Sequence, residues 1–171
     1  MVMTYLVEAM SQVSKPTGDV ADEKIALLRI YLYREDILYI SATVREEFEK
    51  IKNEMIDKRR NHQEAATVLL GDIRASDLEL VESRMLEYNN HHSGEKNKKD
   101  CRILAEAELG GAQILLTYDD DFLKRLRDKT HSIKMLEPSK CWHGLGIPHG
   151  SSLIKGPRTT NPLSRETWWR W

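Results

Sequence analysis

Acidic side chains follow the two apolar, strand-like segments that stand out in the sequence. Residues 113–118, "QILLTY", run directly into the aspartates Asp119–Asp121, and residues 37–41, "ILYIS", run into a helical pattern that contains Glu47. A further acid, Asp100, begins the helical pattern "DCRILAEAEL". Like charges this close together repel one another, so the arrangement requires a bound cation or another source of positive charge.

Two of these acids belong to the apolar faces of their helices. Glu47 comes three residues after Val44 and four before Ile51, and Asp100 comes one turn before Ile103. Carboxylate oxygens are the ligands that Mg²⁺ and Mn²⁺ prefer. Such ions activate water and stabilise in-line displacement at phosphorus. The pattern therefore predicts a site for a hard divalent cation.

The aspartates also have a simpler interpretation. They precede the helical pattern "DDFLKRLRDK", and acids at a helix N-terminus cap free N–H groups and interact favourably with the helix dipole. For a single acid this capping or surface role is the more common one, and we expect it for Asp120. What favours a metal site is the convergence of four acids on one edge of a sheet: Glu47, Asp100, Asp119 and Asp121.

Alternating strands and helices must position these acids. Helical patterns separate the apolar segments, and residues 132–138, "SIKMLEP", supply a further short strand. This alternation predicts an α/β fold with a parallel sheet covered by helices on both faces, a three-layer α/β/α sandwich. Ligands of such sheets bind beyond the carboxyl ends of the strands, which is where the acids fall.

The composition describes one domain followed by a tail. The 171 residues are 40% hydrophobic and 31% charged, and no apolar run approaches the length of a transmembrane helix. Two cysteines make no disulfide framework, which is typical of a cytoplasmic protein. Residues 138–171 hold all four tryptophans and four of the five prolines, with a basic balance of charge. We expect them to form an irregular or disordered tail beyond a domain of residues 1–137.

Two stretches of the sequence resemble a known family. "KDCRILAEAELGGAQILLTYDDDF" is similar to the carboxy-terminal half of a PIN domain, and "ISATVREEFEKI" is similar to the second motif of that family. The resemblance covers residues 2–138. It implies a ribonuclease that uses Mg²⁺ or Mn²⁺ to hydrolyse RNA. Many small members are toxins that pair with an antitoxin protein, and such toxins commonly form homodimers.

The resemblance also assigns roles to individual residues. Glu47 matches the acid of the second motif, Asp100 that of the third and Asp119 that of the fourth, which implies that all three are catalytic metal ligands. Asp121 matches an auxiliary acid that some members use. Thr117 matches a hydroxyl residue at the end of the strand that orients these acids.

The first motif departs from the family pattern, which has an Asp at the end of the first strand in an Asp-x-Asn context. One alignment places Glu8 at this position, within "YLVEAM". The other treats residues 2–10 as the helix that follows the motif, so that the sheet lacks its first strand and the site lacks a ligand. The second alignment keeps a helix before the loop at 11–22, and we prefer it. A catalytically impaired PIN-like module that binds RNA or a protein is then the alternative to a nuclease.

Overall fold

A computed structural model describes residues 2–3, 15–36, 38–49, 71–73, 77–89, 95–157, 159 and 162–171. Short strands and helices alternate along the chain. Their bounds, in chain order, are β1 (Val2–Met3), α1 (Ala21–Tyr33), β2 (Tyr39–Ser41), α2 (Ala42–Glu49), β3 (Gly71–Ile73), α3 (Leu78–Asn89), α4 (Glu95–Leu109), β4 (Ile114–Leu116), α5 (Asp120–Leu126), β5 (Lys134–Leu136) and α6 (Pro138–Gly144). Among these described helices, none has the length and apolar character needed to span a bilayer.

The strands form one parallel sheet in the order β3-β2-β1-β4-β5. Ile40 of β2 and Leu115 and Leu116 of β4, the strands on either side of β1, are apolar and fully buried. Helix α3 packs on α4, and α1 packs on α6. The parallel α/β architecture that the sequence predicts is confirmed, because strands this apolar are stable only when helices cover the sheet.

The central strand of the sheet is β1, which lies between β2 and β4. Val2 is in register with Tyr39 of β2 and with Leu115 of β4. The interpretation of residues 2–10 as a helix, with the first strand missing from the sheet, is therefore wrong at Val2 and Met3. A short apolar run fits helical and strand spacing equally well, and here pairing with two distant strands decides its structure.

Helix α4 ends at the pair of glycines that the sequence predicts as its stop. The N–H of Gly111 donates to the carbonyl of Glu108, and the N–H of Ala112 donates to the carbonyl of Ala107, both at 3.0 Å. This is the Schellman arrangement, in which the residue after the helix adopts a left-handed conformation. Gly111 has a φ of 76°, which is strained for any residue with a Cβ.

Replacing Gly111 with Ala is expected to lower the free energy of unfolding by about 1–2 kcal/mol. No atom lies within 4 Å of the added Cβ, so the loss comes from backbone strain and not from a clash. Urea denaturation followed by circular dichroism measures it. Gly144→Ala is the matched control, since its new Cβ also meets open space and its φ is not left-handed. Equal losses in the two variants would contradict the explanation.

Residues 138–171, for which the composition predicts an irregular or disordered tail, pack against α1. Helix α6 begins this segment, and beyond it the described chain is irregular apart from a 3₁₀ turn at Pro162–Arg165. Trp142, Leu163 and Trp169 are buried in the same core as the sheet. The tryptophans explain the packing, because a ring of this size buries about 150–250 Å² and so offsets the entropy lost when the tail is ordered.

Hydrogen bonds fix the end of the tail to α1. The guanidinium of Arg29 donates to the carbonyl of Trp169 at 3.0 Å and to that of Arg170 at 3.2 Å. The N–H of Trp171 donates to the hydroxyl of Tyr33 at 2.9 Å. These bonds join the second half of α1 to the last residues of the chain.

Candidate functional site

The carboxyl ends of β2, β1 and β4 lie side by side at one edge of the sheet. Register places Met3 beside Leu116, and Ser41 ends the neighbouring strand on the other side. Ser41 and Thr117, which follows β4, have no exposed surface. Helices α2 and α5 both begin at this edge, so it collects polar side chains and free helical N–H groups.

Thr117 and Asp119 form a fixed turn between β4 and α5. The main chain of Thr117 donates to the carbonyl of Leu136, and its hydroxyl accepts a hydrogen bond from the N–H of Asp119, both at 3.1 Å. Oδ1 of Asp119 accepts from the N–H of Phe122 at 3.0 Å. Asp119 is therefore the N-cap of α5, which confirms the capping interpretation for this residue. Its carboxylate is held at the carboxyl edge of the sheet.

The next two aspartates occupy the first turn of α5 and are exposed. Asp120 lies 3.7 Å from the ammonium group of Lys124, one turn further along the helix. The predicted surface role of Asp120 fits this position. Asp121 shares the favourable interaction with the helix N-terminus, and its predicted role as an auxiliary ligand stays a prediction.

Asp100 is buried in α4, with 8% of its surface exposed. Its carboxylate accepts a hydrogen bond from Nη2 of Arg125 on α5. Nη1 of the same guanidinium is buried and has no hydrogen-bond partner among the described residues. The ion pair ties α4 to α5, the helix that Asp119 begins. The inward position of Asp100 follows from helical spacing, whereas nothing in the local sequence indicates Arg125 as its partner.

The other two predicted acids, Glu47 and Glu8, have side chains outside the described part of the chain. Residue Glu47 belongs to α2, one helical turn beyond Thr43, and its side chain lies outside the part of the chain that the structure describes. Glu8 also lies outside the described residues. The side chain of Glu46, next to Glu47, is exposed. The convergence of Glu47 with Asp100 and Asp119 therefore stays a prediction.

Glu106 is a buried acid at this edge that sequence reasoning missed. It is 5% exposed and accepts hydrogen bonds from Thr43, which belongs to the first turn of α2. The signal that could have revealed it is its place between Ala105 and Ala107, on the apolar side of a helix. A charged side chain at such a position requires donors from another element.

The oxygen donors at this edge fit a hard divalent cation in their chemistry. Asp119 supplies a carboxylate at this edge, and Asp100 supplies one from α4, which its ion pair with Arg125 ties to α5. Among the described side chains, no group of three or more His, Cys, Asp or Glu residues is arranged to hold a metal ion. The third carboxylate that the sequence predicts is Glu47, whose side chain lies outside the described part of the chain.

Neither cysteine is a candidate nucleophile or metal ligand of the site. Cys101, next to Asp100, and Cys141 on α6 are both free and buried. Burial raises the pKa of both thiols above the ordinary value, so both are protonated at neutral pH. A protonated, buried thiol is neither a nucleophile nor a metal ligand.

Comparison with known protein families identifies a match that covers most of the chain. A sequence model of the PIN domain matches residues 6–128 of the chain, which is well over half of it. The matched range includes all four predicted acids from Glu47 to Asp121, and residues 138–171 lie beyond it. Neither the curated proteins nor the solved structures gave a match.

Proposed function

Because this chain belongs to the PIN-domain family, whose members are generally nucleases, we propose that it is a metal-dependent endoribonuclease that hydrolyses phosphodiester bonds of RNA. The observation that carries the proposal is the attachment of two predicted acids to one helix. Asp119 caps α5, and Asp100 is paired with Arg125 on the same helix. The acid that follows β4 and the buried acid of α4 are thus attached to the same helix, which supports a site that both acids share.

The residues of the proposed site act as metal ligands, as an assisting acid or as a positioning group. Glu47, Asp100 and Asp119 hold Mg²⁺ or Mn²⁺, and Asp121 assists from the first turn of α5. A bound ion would supply an activated water and offset the charge that develops on the phosphate. Thr117 keeps the Asp119 main chain in place through its hydroxyl.

The metal requirement and the second-motif acid are tested together. Single-stranded RNA incubated with the full chain and Mn²⁺ is expected to be cleaved, with cleavage lost in EDTA and restored by added Mn²⁺. Glu47→Gln keeps the size of the side chain and removes a ligand charge, so we expect cleavage to fall at least about tenfold. The exposed neighbour provides the control: Glu46→Gln should cleave at the normal rate. Cleavage that persists in EDTA would contradict the proposal.

The partners and location follow from the same proposal. RNA is the substrate, and a cognate antitoxin protein would cover the acidic edge if the chain is the toxin of a toxin–antitoxin pair. We also propose a homodimer, by analogy with such toxins. Two free, buried thiols support a location in the cytoplasm, where cysteines stay reduced.

A second candidate function is a catalytically impaired PIN-like module that binds RNA or a protein. The observation that favours it is the sequence "MVMTYLVEAM", which contains no Asp and therefore no first-motif acid of the usual type. Such a module would leave RNA uncut in Mn²⁺ or Mg²⁺, with or without Glu47→Gln. A gel-shift assay with RNA would then separate an RNA-binding module from a protein-binding one.

A further inference from the structure

We propose that Glu106 is a positioning residue that fixes helix α2, and with it Glu47, relative to Asp100. The inference rests on the proposed function, because it concerns the geometry of the same metal site. Glu106 itself binds neither metal nor RNA. It acts from α4, through Thr43, on the start of α2.

A single carboxylate makes two contacts with Thr43. Oε2 of Glu106 accepts the main-chain N–H of Thr43 at 3.1 Å, and Oε1 accepts its hydroxyl at 2.8 Å. Glu106 and Thr43 are 5% and 8% exposed, so water does not weaken these bonds. Charged acceptors in such surroundings make the stronger class of hydrogen bond.

The contact replaces part of the usual cap of α2. The first N–H groups of a helix have no partner within it. Ser41, just before the helix, accepts the N–H of Val44 at 3.3 Å, and Glu106 accepts the N–H of Thr43 from α4. A negative charge at a helix N-terminus is also favoured by the helix dipole. The start of α2 is therefore set by a residue 63 positions away.

Helix α4 carries both Glu106 and Asp100. They are six positions apart in the sequence, which corresponds to about 9 Å along a rigid helix. On α2, residue 47 follows Thr43 by one turn. The Glu106–Thr43 contact thus connects the backbone position of one predicted ligand to that of another, with fewer than two helical turns on one side and one turn on the other.

A basic residue supports Glu106 in this position. Nε of Arg102 donates to Oε1 of Glu106 at 3.3 Å, and Nη1 of Arg102 lies 3.1 Å from Oε1 of Glu82 on α3. Arg102 offsets part of the charge of Glu106 and links α3 to the same network. Two buried donors and one cation leave Glu106 little freedom to move.

Glu108 provides a matched control on the same helix. It too is a buried carboxylate, and it accepts the hydroxyl of Tyr88 and the N–H groups of His131 and Ser132. These last two residues precede β5, whereas Thr43 follows β2. In a parallel sheet the two carboxylates therefore serve opposite edges, and only Glu106 serves the edge of the proposed site.

The test compares Glu106→Ala, Glu106→Gln and Glu108→Ala in the full chain. Mn²⁺ affinity is measured by calorimetry at a temperature where circular dichroism shows all variants folded, and urea denaturation gives the metal-free stability. We expect the Kd for Mn²⁺ to rise about 10-fold or more in Glu106→Ala, as for loss of a group that orients ligands. Glu106→Gln keeps one acceptor, so its Kd for Mn²⁺ should lie between the Kd of Glu106→Ala and that of the unmodified chain. Glu108→Ala should lose stability with its Kd within about twofold of the original.

Thr43→Val keeps the inference testable if Glu106→Ala does not fold. It removes the hydroxyl contact alone, and its Kd should rise by less than that expected for Glu106→Ala. An unchanged Kd in the Glu106 and Thr43 variants, or an equal rise in Glu108→Ala, would overturn the inference while the proposed function stands. Absence of Mn²⁺ binding by the unmodified chain would overturn both.

Discussion

Replacing Asp100 with Asn is expected to reduce Mn²⁺-dependent RNA cleavage at least about 100-fold. Loss of a group that only orients a ligand costs about 10–100-fold, and loss of the ligand itself should reach at least the upper end of that range. Asn keeps the size of the side chain and one oxygen but removes the charge that balances a divalent cation. A steady-state cleavage assay with a labelled RNA, over a range of Mn²⁺ concentrations, measures the effect.

The same substitution also disturbs an ion pair, and the two effects must be separated. The side chains of Asp100 and Arg125 are 11% and 20% exposed, so Asp100→Asn leaves a largely buried guanidinium without its anion. Breaking a fully buried pair costs about 3–5 kcal/mol, and this partly exposed one should cost less. The double variant Asp100→Asn/Arg125→Gln is expected to recover stability without recovering RNA cleavage.

Asp120→Asn is the control for general effects of charge at this edge. Asp120 is exposed beside Lys124, so its loss should leave both cleavage and stability nearly unchanged. If the double variant recovered cleavage together with stability, Asp100 would be a structural residue and the metal-ligand assignment would fail.

Replacing Trp169 with Ala is expected to lower the free energy of unfolding by about 3–5 kcal/mol. Trp169 is 1% exposed, and its Nε1 donates to the carbonyl of Leu163 at 3.0 Å. The substitution removes the largest fully buried side chain and leaves a cavity in the core. Urea denaturation of the two proteins gives the difference in stability.

Two comparisons show whether the loss is specific to the tail. Trp168→Ala should cost less, because Trp168 is only partly buried and its Nε1 has no partner among the described residues. Alkylation of Cys141, on α6, should become faster in Trp169→Ala, whereas Cys101 within α4 should stay protected. If both thiols were exposed together, the tail would be part of the same cooperative unit as the sheet.

Much of the fold could be predicted from local patterns. The segments "ILYIS", "QILLTY" and "SIKMLEP" contain β2, β4 and β5, and each was predictable as an apolar run of strand length next to a helical pattern. Two strands could not be assigned in this way. Val2–Met3 is too short for a periodicity, and Gly71–Ile73 contains residues that are rare in strands. Both are strands because neighbouring strands pair with them.

The candidate site, like the fold, could be predicted only in part from local sequence. Helical spacing is enough to predict that Asp100 faces inward, and the strand end is enough to predict the position of Asp119 and Thr117. The partners of these acids are not local: Arg125 is 25 residues from Asp100, and Thr43 is 63 residues from Glu106. Such pairs depend on how helices pack, which periodicity does not report. The tail was difficult for a related reason, since the surface that orders it belongs to α1.

The contacts of Arg29 with the last residues of the chain have a consequence during protein synthesis. They join positions 140 and 141 residues apart, so they cannot form until translation has passed residue 170. Contacts of such long range slow folding far more than they alter stability. Until then one side of α1 remains without its cover of tryptophans. A nascent chain stalled before that point would expose an apolar surface of the kind that chaperones bind.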